Sequence, residues 1–128
     1  MIGLFMVSQS GLIAQGLMEL ISHTAPDIPV MAVGGNPYGG QGVDLERIYG
    51  ALEDLCSPKG AIVLYDTEDS YRDVMEAAAD LGFKGIRNIT AVPAALLEDA
   101  LTASRYIESG ISLQKVSEVL EGLKLPEV

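Results

Sequence analysis

The chain has 128 residues and is 48% hydrophobic, so it can bury one sizeable core, and we expect a single domain over residues 1–128. Its 18 acidic and 8 basic residues give a formal net charge of −10, which argues against nucleic-acid and anionic-membrane partners. No apolar stretch reaches the roughly 18 residues that a membrane span needs, and no signal peptide is recognisable. With the lone Cys56 unable to form an internal disulfide, these features predict a cytoplasmic protein.

Short apolar runs alternate with helical patterns along the whole chain. The predicted strands are Ile2–Val7, Val30–Val33, Ala61–Tyr65 and Ile86–Val92. Strands this apolar are typical of a parallel sheet that is covered on both faces. The predicted fold is therefore an α/β fold, a small open parallel sheet of four or five strands with helices on both faces. Because four strands make a small sheet, a second subunit is expected to complete one edge or face.

Each predicted helix rests on apolar residues spaced three or four apart. In chain order, the five stripes are Leu12, Ile13, Leu17, Leu20 and Ile21; Leu45, Ile48, Leu52 and Leu55; Val74, Ala77, Ala78 and Leu81; Leu97, Ala100, Leu101 and Ser104; and Leu113, Val116, Leu120 and Leu123. Ser10 and Ser112 are predicted N-caps of the first and last helices, and Ser70 with Asp73 forms a predicted capping box. Pro93 is predicted in the first turn of the fourth helix.

Polar residues and glycines follow the predicted strands at the edge where open α/β sheets bind ligands. They are Ser8, Gln9 and Ser10 after the first strand, Gly34, Gly35 and Gly42 after the second, and Asp66 and Thr67 after the third. The helix start behind Ser10 would favour an anion, although Ser10 would also be explained as a simple cap. A carboxylate such as Asp66 could orient a neighbour, bind a metal or accept a phosphoryl group, and it would also suit a turn.

Several other kinds of site fit these residues less well. The loop Asn36–Gly42 is neither a Walker A loop nor a dinucleotide-binding turn. A phospho-aspartate receiver centred on Asp66 would need acids after the first strand and a lysine after the last, and the sequence has neither there. Ser8 or Ser10 as a nucleophile would lack a nearby base, because the only histidine, His23, falls at the opposite end of the first helix. No metal or cofactor is predicted.

Four segments in register resemble the mannose-type enzyme IIA family of the sugar phosphotransferase system. The segments are I-G-L-F-M-V-S-Q-S, V-G-G-N-P-Y-G-G-Q-G-V-D, V-L-Y-D and L-L-E-D-A-L-T-A-S, and they cover essentially the whole chain. Within that family they are similar to the phosphotransfer subunits of phosphoenolpyruvate-dependent dihydroxyacetone kinases. The resemblance implies a homodimer that receives a phosphoryl group from the carrier protein HPr and passes it to the kinase subunits.

The resemblance also assigns roles to residues and exposes departures from the family pattern. The family's first strand ends in V-S-H-S, which places Gln9 where the phosphoryl-accepting histidine is expected. Asp66 falls at the aspartate that helps to orient that histidine, and the remaining loop residues replace the family's D-L-G-S-A with D-T-E-D-S. Because a carboxamide nitrogen is delocalised and is not a nucleophile, phosphotransfer is predicted to be lost or disabled.

Two hypotheses follow from these departures. A carrier inactivated only by replacement of its histidine would differ at residue 9 alone, whereas here Val43 and Thr67–Ser70 also depart from the family pattern. A diverged homologue that acts as a binding or regulatory module without phosphotransfer explains all of these departures together.

Overall fold

The computed structural model describes residues 1–35, 44–55 and 57–122. Its elements are β1 (Gly3–Ser8), α1 (Gly11–Thr24), β2 (Val30–Gly34), α2 (Leu45–Leu55), β3 (Ala61–Tyr65), α3 (Glu68–Phe83), β4 (Ile89–Pro93), α4 (Leu96–Glu108) and α5 (Leu113–Gly122). The predicted loop Asn36–Gly42, including the candidate residue Gly42, lies outside the described residues, as do Val43, Cys56 and Leu123.

The four strands form one parallel sheet in the order β2-β1-β3-β4. This confirms the predicted parallel sheet, with four strands in the described part of the chain. The connection that leaves β1 leads to β2 on one side, while the connection that leaves β3 leads to β4 on the other side. Since the two connections diverge, a crevice opens between the carboxyl ends of β1 and β3, and ligands of open α/β sheets bind at such a position.

Apolar side chains of β1 alternate between the two faces of the sheet, as the pleat of a strand requires. Leu4 and Met6 pack in a core with α1, α4 and α5, and Phe5 and Val7 pack in a second core with α2 and α3. All six residues of β1 are buried. The central strand is therefore held on both faces, which fixes the position of the residues that follow it.

Of the helix caps predicted at Ser10, Ser70 and Ser112, two are confirmed and one is wrong. The Ser10 hydroxyl accepts a hydrogen bond from the N–H of Ile13 at 3.3 Å, and the Ser112 hydroxyl accepts one from the N–H of Lys115 at 3.2 Å. The predicted box that begins at Ser70 is wrong, because α3 begins one turn earlier and Thr67 is its N-cap. The Thr67 hydroxyl accepts from the N–H of Ser70 at 3.2 Å, which frees the Ser70 hydroxyl for other contacts.

The fourth strand and helix are shifted relative to their predicted positions. Pro93 is the last residue of β4, paired with Tyr65, and not part of α4. Proline is tolerated there because β4 is an edge strand, where a missing N–H need not interrupt the sheet. The helix begins at Leu96, and the Asp99 carboxylate accepts from the N–H of Ala95 at 3.0 Å, which satisfies one of the free donors at the helix start.

Parts of the predicted apolar stripes face solvent. The buried residues of α1 are Ala14, Leu17 and Ile21, whereas Leu12, Ile13 and Leu20 are exposed. In α4 the buried residues are Ala100, Ala103, Ser104 and Ile107, and Leu97 is exposed. Both helices carry more apolar residues than the sheet covers, so spacing alone did not identify the buried side.

Candidate functional site

The Asp66 carboxylate is the centre of a hydrogen-bond network between β1 and β3. Its Oδ2 accepts from the Ser8 hydroxyl at 2.9 Å and from the N–H of Gln9 at 3.2 Å, and its Oδ1 accepts from the Ser70 hydroxyl at 3.1 Å. The register of the sheet pairs Val7 with Tyr65, so the residues that follow the two strands come together. Asp66 thus ties the first strand end to the first turn of α3.

The Gln9 side chain is held by the same network. Its Nε2 donates to the Ser70 hydroxyl at 2.8 Å, and that hydroxyl also accepts from the Thr67 hydroxyl at 3.3 Å. Ser70 is fully buried, so it provides a fixed acceptor for the amide. The side-chain amide of Gln9 is therefore held in the site by its hydrogen bond to Ser70.

The hydroxyls of Ser8 and Ser10 are both occupied by local contacts. Ser8 is 1% exposed, and its hydroxyl accepts from the N–H of Ser10 at 3.1 Å while it donates to Asp66. Ser10 caps α1. The N–H groups of Gly11 and Leu12, in the first turn, are donors that a helix leaves without an intrahelical acceptor. These two serines shape the turn before α1, and the Ser8 hydroxyl is directed at the Asp66 carboxylate.

Gly34 and Gly35, at the end of β2, allow the close approach of α1 to the sheet. A Cβ at Gly34 would lie 2.8 Å from the Cβ of Ala14 and would collide with the carbonyl oxygen of Ser10. Gly35 has a φ of +68°, in the left-handed region that favours glycine. Gly34 is thus required by packing and Gly35 is favoured by the backbone conformation, whatever else they contribute to the site.

A cleft of about 750 Å³ runs along α1 beside β2 and reaches Gln9. Its lining includes Gln9, Ser10, Gly34, Gly35 and Arg47. The Arg47 guanidinium donates to the carbonyl oxygen of Gly34 at 3.4 Å, which places a positive charge beside the cleft. Sequence reasoning did not identify Arg47. Its position in the first turn of α2, after a strand end, was the signal that could have found it.

Two tyrosines, Tyr65 and Tyr71, pack against each other near the end of β3 that Asp66 follows. Tyr65 ends β3 and its ring lies 5.1 Å from that of Tyr71 in α3, centroid to centroid. Burial raises the pKa of Tyr65 above 10.0, and Tyr71 and the negative charge of Glu68 raise it further. Burial, followed by the charge of Asp69, also raises the pKa of the Asp73 carboxyl. Burial is the larger cause of both pKa shifts, and the negative charges of Glu68 and Asp69 add to it.

The structure brings Ser8, Gln9 and Asp66 together and leaves Thr67 as a helix cap. Sequence reasoning missed Ser70 as a site residue, although its place four residues after Asp66 on a helix start was a usable signal. His23 lies in the last turn of α1, at the opposite edge of the sheet, as predicted. Among the described residues no three His, Cys, Asp or Glu side chains are grouped to hold a metal ion.

The arrangement supplies hydrogen-bond donors around one carboxylate, that of Asp66. An amide nitrogen has no available lone pair, and the serine hydroxyls bond to Asp66 or cap a helix. Every buried side-chain nitrogen or oxygen in the described part of the chain has a hydrogen-bond partner. The site is therefore an ordered polar centre.

The sequence profile of the family described as PTS system fructose IIA component, the EIIA-man family, matches residues 3–117. The chain therefore belongs to this family, which confirms the resemblance that the sequence motifs indicate.

One relative agrees with this assignment, and two solved structures share the fold. The chain is 32% identical over 119 residues to the phosphotransferase subunit DhaM of the PTS-dependent dihydroxyacetone kinase of Lactococcus lactis, with 93% of each chain covered. Its fold is similar to the crystal structure of a protein of unknown function, EF1359, with a TM-score of 0.80, 16% identity and coverage of 100% of this chain and 99% of that one. A sigma-54 interaction domain protein from Enterococcus faecalis has a TM-score of 0.68 at 17% identity, over 94% of this chain and 87% of that one.

No helix within the described ranges is both long and apolar enough to cross a bilayer.

Proposed function

We propose that this protein is a carrier-type subunit that binds the partners of a phosphotransfer chain without accepting a phosphoryl group itself. The observation that carries the proposal is the bonded amide of Gln9. It occupies the end of β1, faces the Asp66 network through Ser70, and has no nucleophilic lone pair. In this proposal the centre is a recognition feature, and the protein acts as a binding or regulatory module.

The partners in this proposal come from the family and from the relative in Lactococcus lactis. They are HPr and the subunits of a dihydroxyacetone kinase, and the setting is the cytoplasm. We further propose a homodimer and a single mannose-type enzyme IIA-like domain over residues 1–128. The net charge of −10 supports partners with basic contact surfaces over nucleic acid or an anionic membrane.

A disabled carrier is the second candidate, and the intact Asp66 network favours it. Asp66, Ser8 and Ser70 remain positioned around residue 9, so a histidine there would find a carboxylate and a hydroxyl within reach. In that case replacement of the Gln9 side chain alone would restore phosphotransfer. The two candidates predict different behaviour for a Gln9→His variant.

Labelled phosphoenolpyruvate with enzyme I and HPr provides the test. The protein and its Gln9→His variant are incubated side by side, and label that survives base but is lost in acid identifies phosphohistidine. A His23→Gln variant serves as the control, because it removes the only native histidine. We expect no label on the native protein, and we expect it to bind HPr or the kinase subunit in a direct binding assay.

The outcomes are distinct. Label on the native protein would contradict the proposal, and its loss in the His23→Gln variant would identify His23 as the acceptor. Label on the Gln9→His variant alone would identify a disabled carrier with an otherwise competent centre. If neither protein takes up label and the native protein binds its partners, the changes around Thr67–Ser70 also exclude transfer and the binding module stands.

A further inference from the structure

The hydrogen bonds around Ser70 fix which way the Gln9 amide is turned. The Asp66 carboxylate has no proton to donate, so at 3.1 Å the Ser70 hydroxyl is the donor and Asp66 Oδ1 is the acceptor. Having used its only proton, the Ser70 oxygen can only accept from its other two neighbours, Thr67 Oγ1 at 3.3 Å and the Gln9 amide at 2.8 Å. The end of the amide that faces Ser70 is therefore the NH2 group.

Reversal of the amide is unfavourable in this setting. If it were turned over, its carbonyl oxygen would meet a hydroxyl oxygen whose proton is already bonded to Asp66, and two acceptors would face each other without a hydrogen. Ser70 is fully buried, so solvent water does not reach its hydroxyl to relieve that contact. The direction of donation thus runs from Gln9 through Ser70 to the carboxylate, and the carboxylate sets it.

The carbonyl oxygen of Gln9 is the end directed away from this network. Gln9 lines the cleft along α1, whereas Ser70 and Asp66 are not among the residues that line it. Residue 9 therefore lies between the network and the cleft, and with its NH2 group engaged by Ser70 it turns its oxygen towards the cleft. A carbonyl oxygen is an acceptor, so the group that fits against it carries an N–H or an O–H.

The charges near Gln9 do not select one sign of ligand. Glu68 and Asp69 in the first turn of α3 would repel an anion, whereas Arg47 beside the cleft and the free N–H groups at the start of α1 would attract one. Discrimination at the centre therefore depends on direct contact with residue 9. An acceptor placed against the Gln9 oxygen would leave both atoms without a hydrogen bond.

We propose that Ser70 is a positioning residue that holds the Gln9 oxygen towards the partner, so that the centre binds an unphosphorylated side chain in preference to its phosphorylated form. This inference rests on the proposed function, because it names the state of the partner that the same centre binds. An imidazole or a hydroxyl can donate a hydrogen bond from the atom that later carries the phosphoryl group. Phosphorylation replaces that proton with acceptor oxygens, which would face the Gln9 oxygen.

HPr in its two states provides the probe. Fluorescently labelled HPr is titrated with the protein, first alone and then with enzyme I and phosphoenolpyruvate, which keep HPr phosphorylated, and fluorescence anisotropy gives both affinities. We expect the native protein to bind unphosphorylated HPr about tenfold more tightly, the equivalent of one acceptor left unpaired in the other complex. Phosphoenolpyruvate without enzyme I is the reagent control and should leave the affinity unchanged.

Ser70→Ala tests the positioning role. Without the hydroxyl, the Gln9 amide is free to turn its NH2 group towards a phosphoryl oxygen, so the tenfold ratio of affinities should fall below about threefold. Ser104→Ala is the matched control, since Ser104 is equally buried and its hydroxyl donates to the Leu101 carbonyl oxygen in α4 at 2.7 Å. A general loss of stability would affect both variants, whereas only the Ser70 variant should change the ratio.

The side-chain amide of Gln9 gives a second measurement that does not depend on binding. In the native protein its Nε2 donates to Ser70, so its hydrogens should exchange with water more slowly than those of the exposed Gln15 amide in α1. In Ser70→Ala this difference should disappear, and NMR of the nitrogen-labelled protein follows both amides. Equal exchange of the two amides in the native protein would overturn the orientation that we infer.

The outcomes separate this inference from the proposed function. If the native protein binds both states of HPr equally, or prefers the phosphorylated state, the inference is overturned and the binding function stands. If Ser70→Ala keeps the full ratio, or Ser104→Ala loses it as well, Ser70 is not the positioning residue and the inference fails. If the native protein binds the kinase subunit but neither state of HPr, only this inference fails. If it binds none of these probes, the proposed function fails with it.

Discussion

The two ends of the strands, which we call the carboxyl edge and the amino edge of the sheet, differ in the residues that they carry. At the carboxyl edge, buried Ser8 and Ser70 share Asp66 with Gln9, and large apolar side chains are left in solvent. At the amino edge the chain turns at glycines with positive φ, and a surface pair joins α3 to α2. In that pair Lys84 lies 3.0 Å from Glu53 and 5.1 Å from the ring centroid of Tyr49.

The difference also appears in the distribution of cations. Of the basic residues described, Arg47 and Arg72 alone lie near helix starts at the carboxyl edge. The others lie in turns or helix ends at the amino edge: Lys59, Lys84, Arg87, Arg105 and Lys115. The amino edge carries the surface pair of Lys84 and Glu53, whereas the carboxyl edge carries the Asp66 network. The Asp66 network is part-buried and the Lys84 pair is exposed, so the two edges should contribute differently to stability.

The largest expected effect concerns the contact between α1 and β2 at the carboxyl edge. Gly34→Ala should lower the free energy of unfolding by about 3 kcal/mol, because the new methyl group meets Ala14 and the Ser10 carbonyl with no space to move. Gly16→Ala is the control with the opposite sign. Nothing lies within 4 Å of a Cβ there, and alanine is the better helix former by roughly 1 kcal/mol. Denaturant unfolding measures both variants, and equal effects would refute the close packing of α1.

A smaller loss is expected from the polar network. Asp66→Ala leaves the buried hydroxyls of Ser8 and Ser70 without their acceptor, which should cost about 2 kcal/mol. Glu53→Ala breaks the ion pair with Lys84 at the other edge and should cost much less, because both side chains are largely in solvent. Urea unfolding of the two variants under the same conditions compares the edges directly. A Glu53→Ala loss as large as that of Asp66→Ala would contradict the distinction.

The smallest expected effect is a change in the pKa of Tyr65. Its raised pKa means that its proton is bound more tightly in the folded state, so the associated stability is present below the unfolded pKa near 10 and is lost as pH rises through the folded pKa. Glu68→Gln removes one of the causes and should lower the pKa of Tyr65. Glu121→Gln, in α5, should leave it unchanged. Carbon NMR of the labelled tyrosine ring follows each titration, and equal pKa values in all three proteins would exclude a contribution from Glu68.

Much of the fold was predictable because its pattern is local. The apolar strand Ile2–Val7 and the caps Ser10 and Ser112 are read from neighbouring residues, and the observed elements agree with them. Pro93 was misassigned because a proline suits both a helix start and an edge strand, and only the pairing with Tyr65 distinguishes the two. The role of Gly42 in the site stays a prediction, and so does the extent of a single domain over residues 1–128.

The candidate site was predictable in part, because some of its residues are placed by local patterns. The positions of Ser8, Gln9 and Asp66 at strand ends follow from the strand pattern, and the topology brings them to one crevice. Ser70 was read as a cap because the pattern Ser70 to Asp73 fits a capping box. Its contact with Gln9 spans 61 positions of sequence, and no local pattern contains such information.

By itself the sequence determined the class of fold, the family and the amide at the end of the first strand, because these depend on residue type and order. Only the tertiary structure decided what that amide does and which apolar residues stay in water. Gln9 bonds to Ser70 because the sheet register brings β1 and β3 together. Leu12, Ile13 and Leu97 are exposed because α1 and α4 each have apolar residues on more than one side, and the sheet covers only one of them.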